Sequence, residues 1–159
     1  MKKHIENFYK HIQDSCRDFD KKNFDLEEIN KIVIAGMGGS AIAGLILKDL
    51  FPELEIIVER NYFPNTPIDE YTFIIICSYS GNTEETLSYY DYSSRLTDHA
   101  MVLTTGGELL KKAKSDKIKF QLLPKGYPPR SALGFSLAIL ISIFNKEGIA
   151  NIDFDCLKK

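Results

Sequence analysis

Residues 72–86 read Thr-Phe-Ile-Ile-Ile-Cys-Ser-Tyr-Ser-Gly-Asn-Thr-Glu-Glu-Thr. Thr72 to Cys77 is apolar through its middle and predicts a strand covered on both faces. Ser78 to Thr83 is a polar, glycine-bearing loop, and a helix is expected from about Thr83 to Leu96. Outward from this unit the same alternation repeats. Lys31 to Ala35 (KIVIA) reads as a first buried strand, followed by glycines and a helix from about Ser40 to Leu50. Glu55 to Glu59 (EIIVE) is a second strand, and Asn61 to Asp69, holding Pro64 and Pro67, is a loop. Ala100 to Leu103 is a fourth strand, Gly106-Gly107 opens a helix through Lys114, and Ile118 to Leu122 is a short fifth strand. Pro124 to Pro129 is a loop, and Arg130 to Lys146 a long apolar helix. Alternating strands and helices predict an α/β fold, a doubly wound five-stranded parallel sheet flanked by helices. Ligands of such sheets bind at the carboxyl ends of the strands, so the loops after the strands are where function is sought.

The composition bounds the classes. The chain has 159 residues, 44% hydrophobic and 26% charged, the profile of one globular domain that needs no disulfide staple. Lys and Arg number 20 against 22 Asp and Glu, a net charge of -2, which argues against broad nucleic-acid or membrane-surface binding. The longest apolar runs, Phe73 to Cys77 and Leu137 to Phe144, fall short of a membrane span. The N-terminus has no apolar core or cleavage site, so no signal peptide and a cytoplasmic location are expected. Cys16, Cys77 and Cys156 are scattered and suit reduced thiols; His4, His11 and His99 make no metal-ligand pattern. Ile5, Phe8, Ile12, Cys16 and Phe19 repeat at helical spacing, which predicts an amphipathic N-terminal helix over Lys3 to Lys22. The expected organisation is a helical arm over 1–30, an α/β core over 31–147, and a tail or start of a linker over 148–159. The arm and the apolar Leu133 to Phe144 segment would either drive self-association or simply cover the sheet.

Three strand-end loops stand out. In Gly36-Met37-Gly38-Gly39-Ser40-Ala41 the glycines let backbone N–H groups, those of Gly38 and Gly39 foremost, approach an anion, with Ser40 as the expected N-cap. The run also matches the dinucleotide pattern G-x-G-x-x-A, and Glu59 sits where a ribose-binding acid belongs. A phosphate-loop reading fails, because Leu45-Ile46 stands where Lys-Ser/Thr is required. The plain alternative is a close helix–strand crossing that needs small residues. In the second loop, Ser78, Ser80 and Thr83 put three hydroxyls at a helix N-terminus, beside the backbone of Gly81 and Asn82. This suits a phosphate monoester held by neutral donors and the helix dipole without a metal. Ordinary capping explains one of these hydroxyls, but not Ser78 and Ser80. In the third loop, Lys125 to Ser131, Pro128 and Pro129 stiffen the approach to Arg130, whose guanidinium can bond two oxygens at once. Its plain alternative is a salt bridge to a surface acid.

GMGGSAIAG followed by SYSGNTEETL resembles the sugar isomerase (SIS) domain, a flavodoxin-like phosphosugar-binding sandwich. More narrowly it is similar to the bifunctional phosphoglucose/phosphomannose isomerase family. Arg60-Asn61-Tyr62 with Pro64, the TTGGELLKKA stretch from Thr104, and Pro128 to Gly134 (PPRSALG) add to the resemblance, which runs from about Lys31 to Asn145. It implies an isomerase domain that anchors the phosphate of glucose-6-phosphate, mannose-6-phosphate or fructose-6-phosphate through Ser40, Ser78, Ser80 and Thr83. It assigns Arg130 to the charge that develops as an enediolate forms. An enediol route moves only protons, so no cofactor is expected.

Isomerisation also needs a base and a ring-opening acid. In the resembling family these are a Glu and a His from beyond the first domain. None of His4, His11, His99, Glu84 or Glu85 is assigned either role. The expectation is therefore an N-terminal half that is inactive alone and is completed by a second SIS domain or a homodimer partner. Two other readings stay open: a non-catalytic phosphosugar sensor, which needs the anchor but not the arginine, and the dinucleotide module.

Overall fold

The computed structural model describes residues 12, 24 and 26–152. The predicted amphipathic helix over 3–22 lies outside the described residues except for Ile12, which is buried. The end of the predicted tail, 153–159, lies outside them as well.

Parallel strands buried on both faces read as continuous apolar runs, and the expected strands form with ends shifted by a residue or less. They are β1 (Lys31–Gly36), β2 (Glu55–Glu59), β3 (Thr72–Ser78), β4 (Ala100–Thr104) and β5 (Lys119–Leu122). Between and after them lie α1 (Gly39–Leu50), α2 (Glu84–Ser93), α3 (Gly107–Ser115) and α4 (Leu133–Lys146). The five strands are all parallel in the order β2-β1-β3-β4-β5. The doubly wound sheet is thus as expected. Its order reverses between β1 and β3, whose registers include Ala35 with Ile76 and Gly36 with Cys77.

Period-two alternation along the strands sends successive side chains to opposite layers. Ile32, Ile34, Phe73, Ile75, Met101 and Leu103 pack with α1 and α4. Val33, Ala35, Ile74, Ile76 and Val102 pack with Tyr89 and Tyr90 of α2 and Leu109 and Ala113 of α3. Every residue of β3 is buried, and burying each of Phe73 to Ile76 is worth about 1.5–3 kcal/mol. α4 is buried from Gly134 through Ile141 and again at Ile143 and Phe144, because it lies across the sheet. Its apolar surface is spent there, so this helix supplies no argument for self-association. No helix of the described residues is long and apolar enough to cross a membrane.

Three boundaries differ from expectation, the simplest being that α2 stops at Ser93, short of Leu96. The last helix begins at Leu133, not Arg130, because Pro129 to Ala132 first makes a 3₁₀ turn in which the Ser131 N–H bonds the Pro128 carbonyl at 2.8 Å. The first helix is capped by Gly38, not Ser40. Gly38 has φ 52°, a left-handed conformation that costs glycine little, so the turn closes one step earlier and Ser40 becomes the second helical residue.

Cys77 is enclosed at the end of β3, and burial pushes its thiol up to about 12. Burial raises the Tyr89 and Tyr90 phenols too. The unfolded chain releases these protons earlier than the folded one, so it binds fewer of them at alkaline pH. Stability is expected to fall once pH passes the ordinary thiol value of 9.0, by up to about 1.4 kcal/mol per pH unit for Cys77 alone. Urea unfolding followed from neutral pH to about pH 10 checks this. Cys77→Ala should flatten the slope just above the thiol value, and an unchanged slope refutes the assignment.

Candidate active site

The loop after β3 is built around its own hydroxyls. The buried Ser78 hydroxyl accepts the Gly81 N–H at 3.1 Å and lies 3.0 Å from the Thr83 hydroxyl. The exposed Ser80 hydroxyl accepts the Asn82 N–H at 3.2 Å. Thr83 occupies the cap position of α2 with extended backbone, but its hydroxyl reaches Ser78 and makes no capping bond. The first turn of α2 therefore begins without a side-chain cap, next in the chain to Ser80 and Thr83.

The loop after β4 braces this turn from behind. Asn82 Oδ1 accepts the Glu108 N–H at 3.0 Å, the Gly81 carbonyl accepts the Leu109 N–H at 2.9 Å, and the Tyr79 carbonyl accepts the Thr105 N–H at 3.1 Å. The buried Thr104 hydroxyl accepts the Gly106 N–H and donates to the Gly106 carbonyl. Gly81 has φ 71° and lies so close to that carbonyl that an added Cβ would stand 1.8 Å from its oxygen. In the sequence, Gly106-Gly107 reads as a helix start and as part of the TTGGELLKKA stretch, with no supporting role assigned. Paired glycines directly after a strand were the available signal for a supporting loop.

The other two loops meet across the reversal point. A Cβ on Gly39 would lie 3.1 Å from the Pro129 carbonyl oxygen and 3.5 Å from Arg130 Cα. The turn after β1 thus packs against the backbone that carries Arg130. The Tyr79 phenol donates to the Pro124 carbonyl at 2.9 Å and accepts the Tyr127 N–H at 3.0 Å. Arg130 is exposed, and no described carboxylate pairs with it, so the plain salt-bridge reading is not realised. Ser40, Ser80, Thr83 and Arg130 all follow the carboxyl ends of parallel strands, as does the backbone of Gly38, Gly39, Gly81 and Asn82, so the topology carries them to one end of the sheet. Ser78 lies behind that surface, engaged with Thr83 and Gly81.

The remaining candidates fall elsewhere. Glu59 is buried and accepts the N–H groups of Asn65 and Thr66 at 2.9–3.2 Å, so it anchors the following loop and has no oxygen turned to a ribose. Gly44 lies where a Cβ would come within 3.0 Å of Ile34 and 3.1 Å of Val58, the plain close-crossing role of a small residue. Met37, Arg60, Tyr62, Phe63, Asn65 and Glu85 help to line an open groove of about 460 Å³ beside α2. Glu84 and Glu85 hold the Tyr62 phenol above its usual range, which puts their field on the groove side. His99 precedes β4, at the opposite end of the sheet.

An anion at this end of the sheet would meet neutral donors and a helix N-terminus, and the loop that carries Arg130 adds a guanidinium. No protein-family model matches the chain. A bifunctional phosphoglucose/phosphomannose isomerase of Caldicellulosiruptor bescii is 40% identical over 130 residues, covering 80% of this chain and 38% of the relative. The protein of that name from Thermoplasma volcanium is 38% identical over 142 residues, covering 89% and 45%. Among solved structures, tagatose-6-phosphate ketose/aldose isomerase from Escherichia coli aligns with a TM-score of 0.73 at 19% identity, over 92% of this chain and 47% of that one. The chain spans about two-fifths of the length of these curated relatives. The resemblance read from the motifs is borne out as homology over most of the chain, and the fold as that of the phosphosugar isomerases.

Proposed function

We propose that this homologue of the bifunctional phosphoglucose/phosphomannose isomerases is the phosphosugar-binding domain of an aldose–ketose isomerase. It would act on glucose-6-phosphate or mannose-6-phosphate and fructose-6-phosphate. What supports this reading is a helix start without a side-chain cap, lined by hydroxyls, at the same end of the sheet as an arginine that no described carboxylate pairs.

In this reading the phosphate accepts hydrogen bonds from Ser80, Thr83 and Ser40 and from the backbone N–H groups around Gly38, Gly39, Gly81 and Asn82. Ser78 acts one step behind: its hydroxyl pairs with Thr83 Oγ1 at 3.0 Å, and when a phosphate oxygen accepts the Thr83 proton, Ser78 serves as the donor of that pair. Anchored there, the open-chain sugar extends toward Arg130. A base removes the proton on the carbon beside the carbonyl and returns it to the neighbouring carbon, while a hydroxyl proton moves between the two oxygens. Charge accumulates on those oxygens in between, and the Arg130 guanidinium donates to both. The base and the ring-opening acid come from a second domain of the same fold or a paired copy.

Two measurements test this. Glucose-6-phosphate and fructose-6-phosphate should raise the melting temperature of the chain and NAD should not. A ligand at a hundredfold excess over its Kd adds about 2.7 kcal/mol. The double substitution Ser80→Ala, Thr83→Ala should abolish the sugar-phosphate shift, and an unchanged shift refutes the anchor. Supplying the remainder of a full-length relative and assaying fructose-6-phosphate formation from glucose-6-phosphate tests the reaction itself. A reconstituted pair that binds sugar phosphate without turnover points to a sensor.

A further inference from the structure

Tyr79 ties the strand-end loops together, and the reading above gives it no task. Its carbonyl accepts the Thr105 N–H at 3.1 Å, which fastens it to the loop after β4. Its phenol bonds the Pro124 carbonyl at 2.9 Å and the Tyr127 N–H at 3.0 Å, so one hydroxyl clasps both ends of the Pro124–Tyr127 segment. The constraint continues from there toward the arginine. The Tyr127 ring meets Phe135 of α4 edge-on at 4.9 Å. Pro128 and Pro129 fix two backbone torsions, and the 3₁₀ turn that contains Arg130 begins at Pro129. The backbone of that turn rests on Gly39. Few torsions are left free between the phenol and Arg130 Cα. A loop ordered in advance lowers the entropy lost when its cation engages charge.

We infer that Tyr79 is the positioning residue for Arg130, holding the Pro124–Arg130 loop so that the guanidinium meets the sugar end of a bound phosphosugar. The inference rests on the phosphosugar reading above. It is tested by calorimetric titration of the 159-residue chain with two probes. One is 5-phosphoarabinonate, whose carboxylate carries charge where the enediolate would; the other is inorganic phosphate. Tyr79→Phe keeps the ring and removes only the clasp. It should weaken 5-phosphoarabinonate about tenfold, the worth of one to two neutral hydrogen bonds, and leave phosphate unchanged. In an Arg130→Ala background the same substitution should have no further effect, since its target is gone. Phe135→Leu loosens the loop from its other side and should weaken the analogue in the same direction. Binding by Tyr79→Phe equal to the parent overturns the inference, as does a loss that persists in the Arg130→Ala background. Failure of the parent to bind either probe is a separate result, which overturns the phosphosugar reading and this inference with it.

Discussion

Gly81→Ala is expected to destabilise the chain by roughly 3–5 kcal/mol. Two costs add. At φ 71° an alanine sits in the left-handed region, worth about 1–2 kcal/mol. The new Cβ would also stand 1.8 Å from the Gly106 carbonyl oxygen and 2.7 Å from its carbon, and these are backbone atoms that cannot rotate away. Relief requires the loops after β3 and β4 to separate, which strains the Leu109–Gly81 and Glu108–Asn82 hydrogen bonds that stitch them. Gly38→Ala is the matched control. It shares a positive φ of 52°, but nothing lies within 4 Å of its Cβ, so only the conformational cost of about 1–3 kcal/mol applies. At about 2–4 °C per kcal/mol for a domain of this size, thermal unfolding should separate the two variants by several degrees. Equal melting temperatures would show that the close approach of the two loops carries no energy. Gly81→Ala should also remove the sugar-phosphate shift, because Ser78 and Ser80 are aligned by this turn.

Arg130→Ala should reduce turnover of the reconstituted enzyme by about 10²–10³, the usual consequence of removing one donor aimed at developing negative charge. The phosphate contacts lie on the other loops, so the sugar-phosphate shift should persist and most of the loss should appear in kcat. Arg130→Lys keeps the charge but loses the planar fork, and should recover only part of the rate. A rise in KM with kcat unchanged would move Arg130 from the reacting carbons to uniform substrate binding.

Much of this architecture was legible because a parallel sheet covered on both sides writes itself as apolar runs. KIVIA, TFIIIC and AMVL have no polar face to confuse the period. Even β5, a half-exposed edge of four residues, is legible from IKFQL between turn signals. Expectation and structure part where local chemistry has two outlets. Ser40 is a good cap, yet a glycine two places earlier closes the turn at no steric cost. Arg130 follows a proline pair that favours a tight 3₁₀ turn before the helix can begin. The site was legible as residue types and not as a mechanism of assembly. Nothing near Tyr79 in sequence announces a bond to a carbonyl 45 residues away, and the Thr83 hydroxyl looked like a cap until Ser78 stood within reach. Such contacts depend on which strands neighbour one another, which periodicity does not encode.

The place of β1 in the sheet also bears on how the chain folds. β1 pairs with β2, which follows soon after it, but also with β3, whose residues come some forty positions later in register, Lys31 opposite Thr72 and Gly36 opposite Cys77. No hairpin can nucleate such a sheet, and each parallel pairing must close a loop before its contacts repay the lost entropy. During synthesis β1 and α1 emerge with one edge of the strand unpaired until β3 arrives. The turns after β1 and β3, which flank the reversal point, come into register in that same late step. Folding to a closed sheet and maturation of the ligand site are therefore one kinetic event, and a stopped-flow signal from ligand capture should grow in with the main folding phase and not before it.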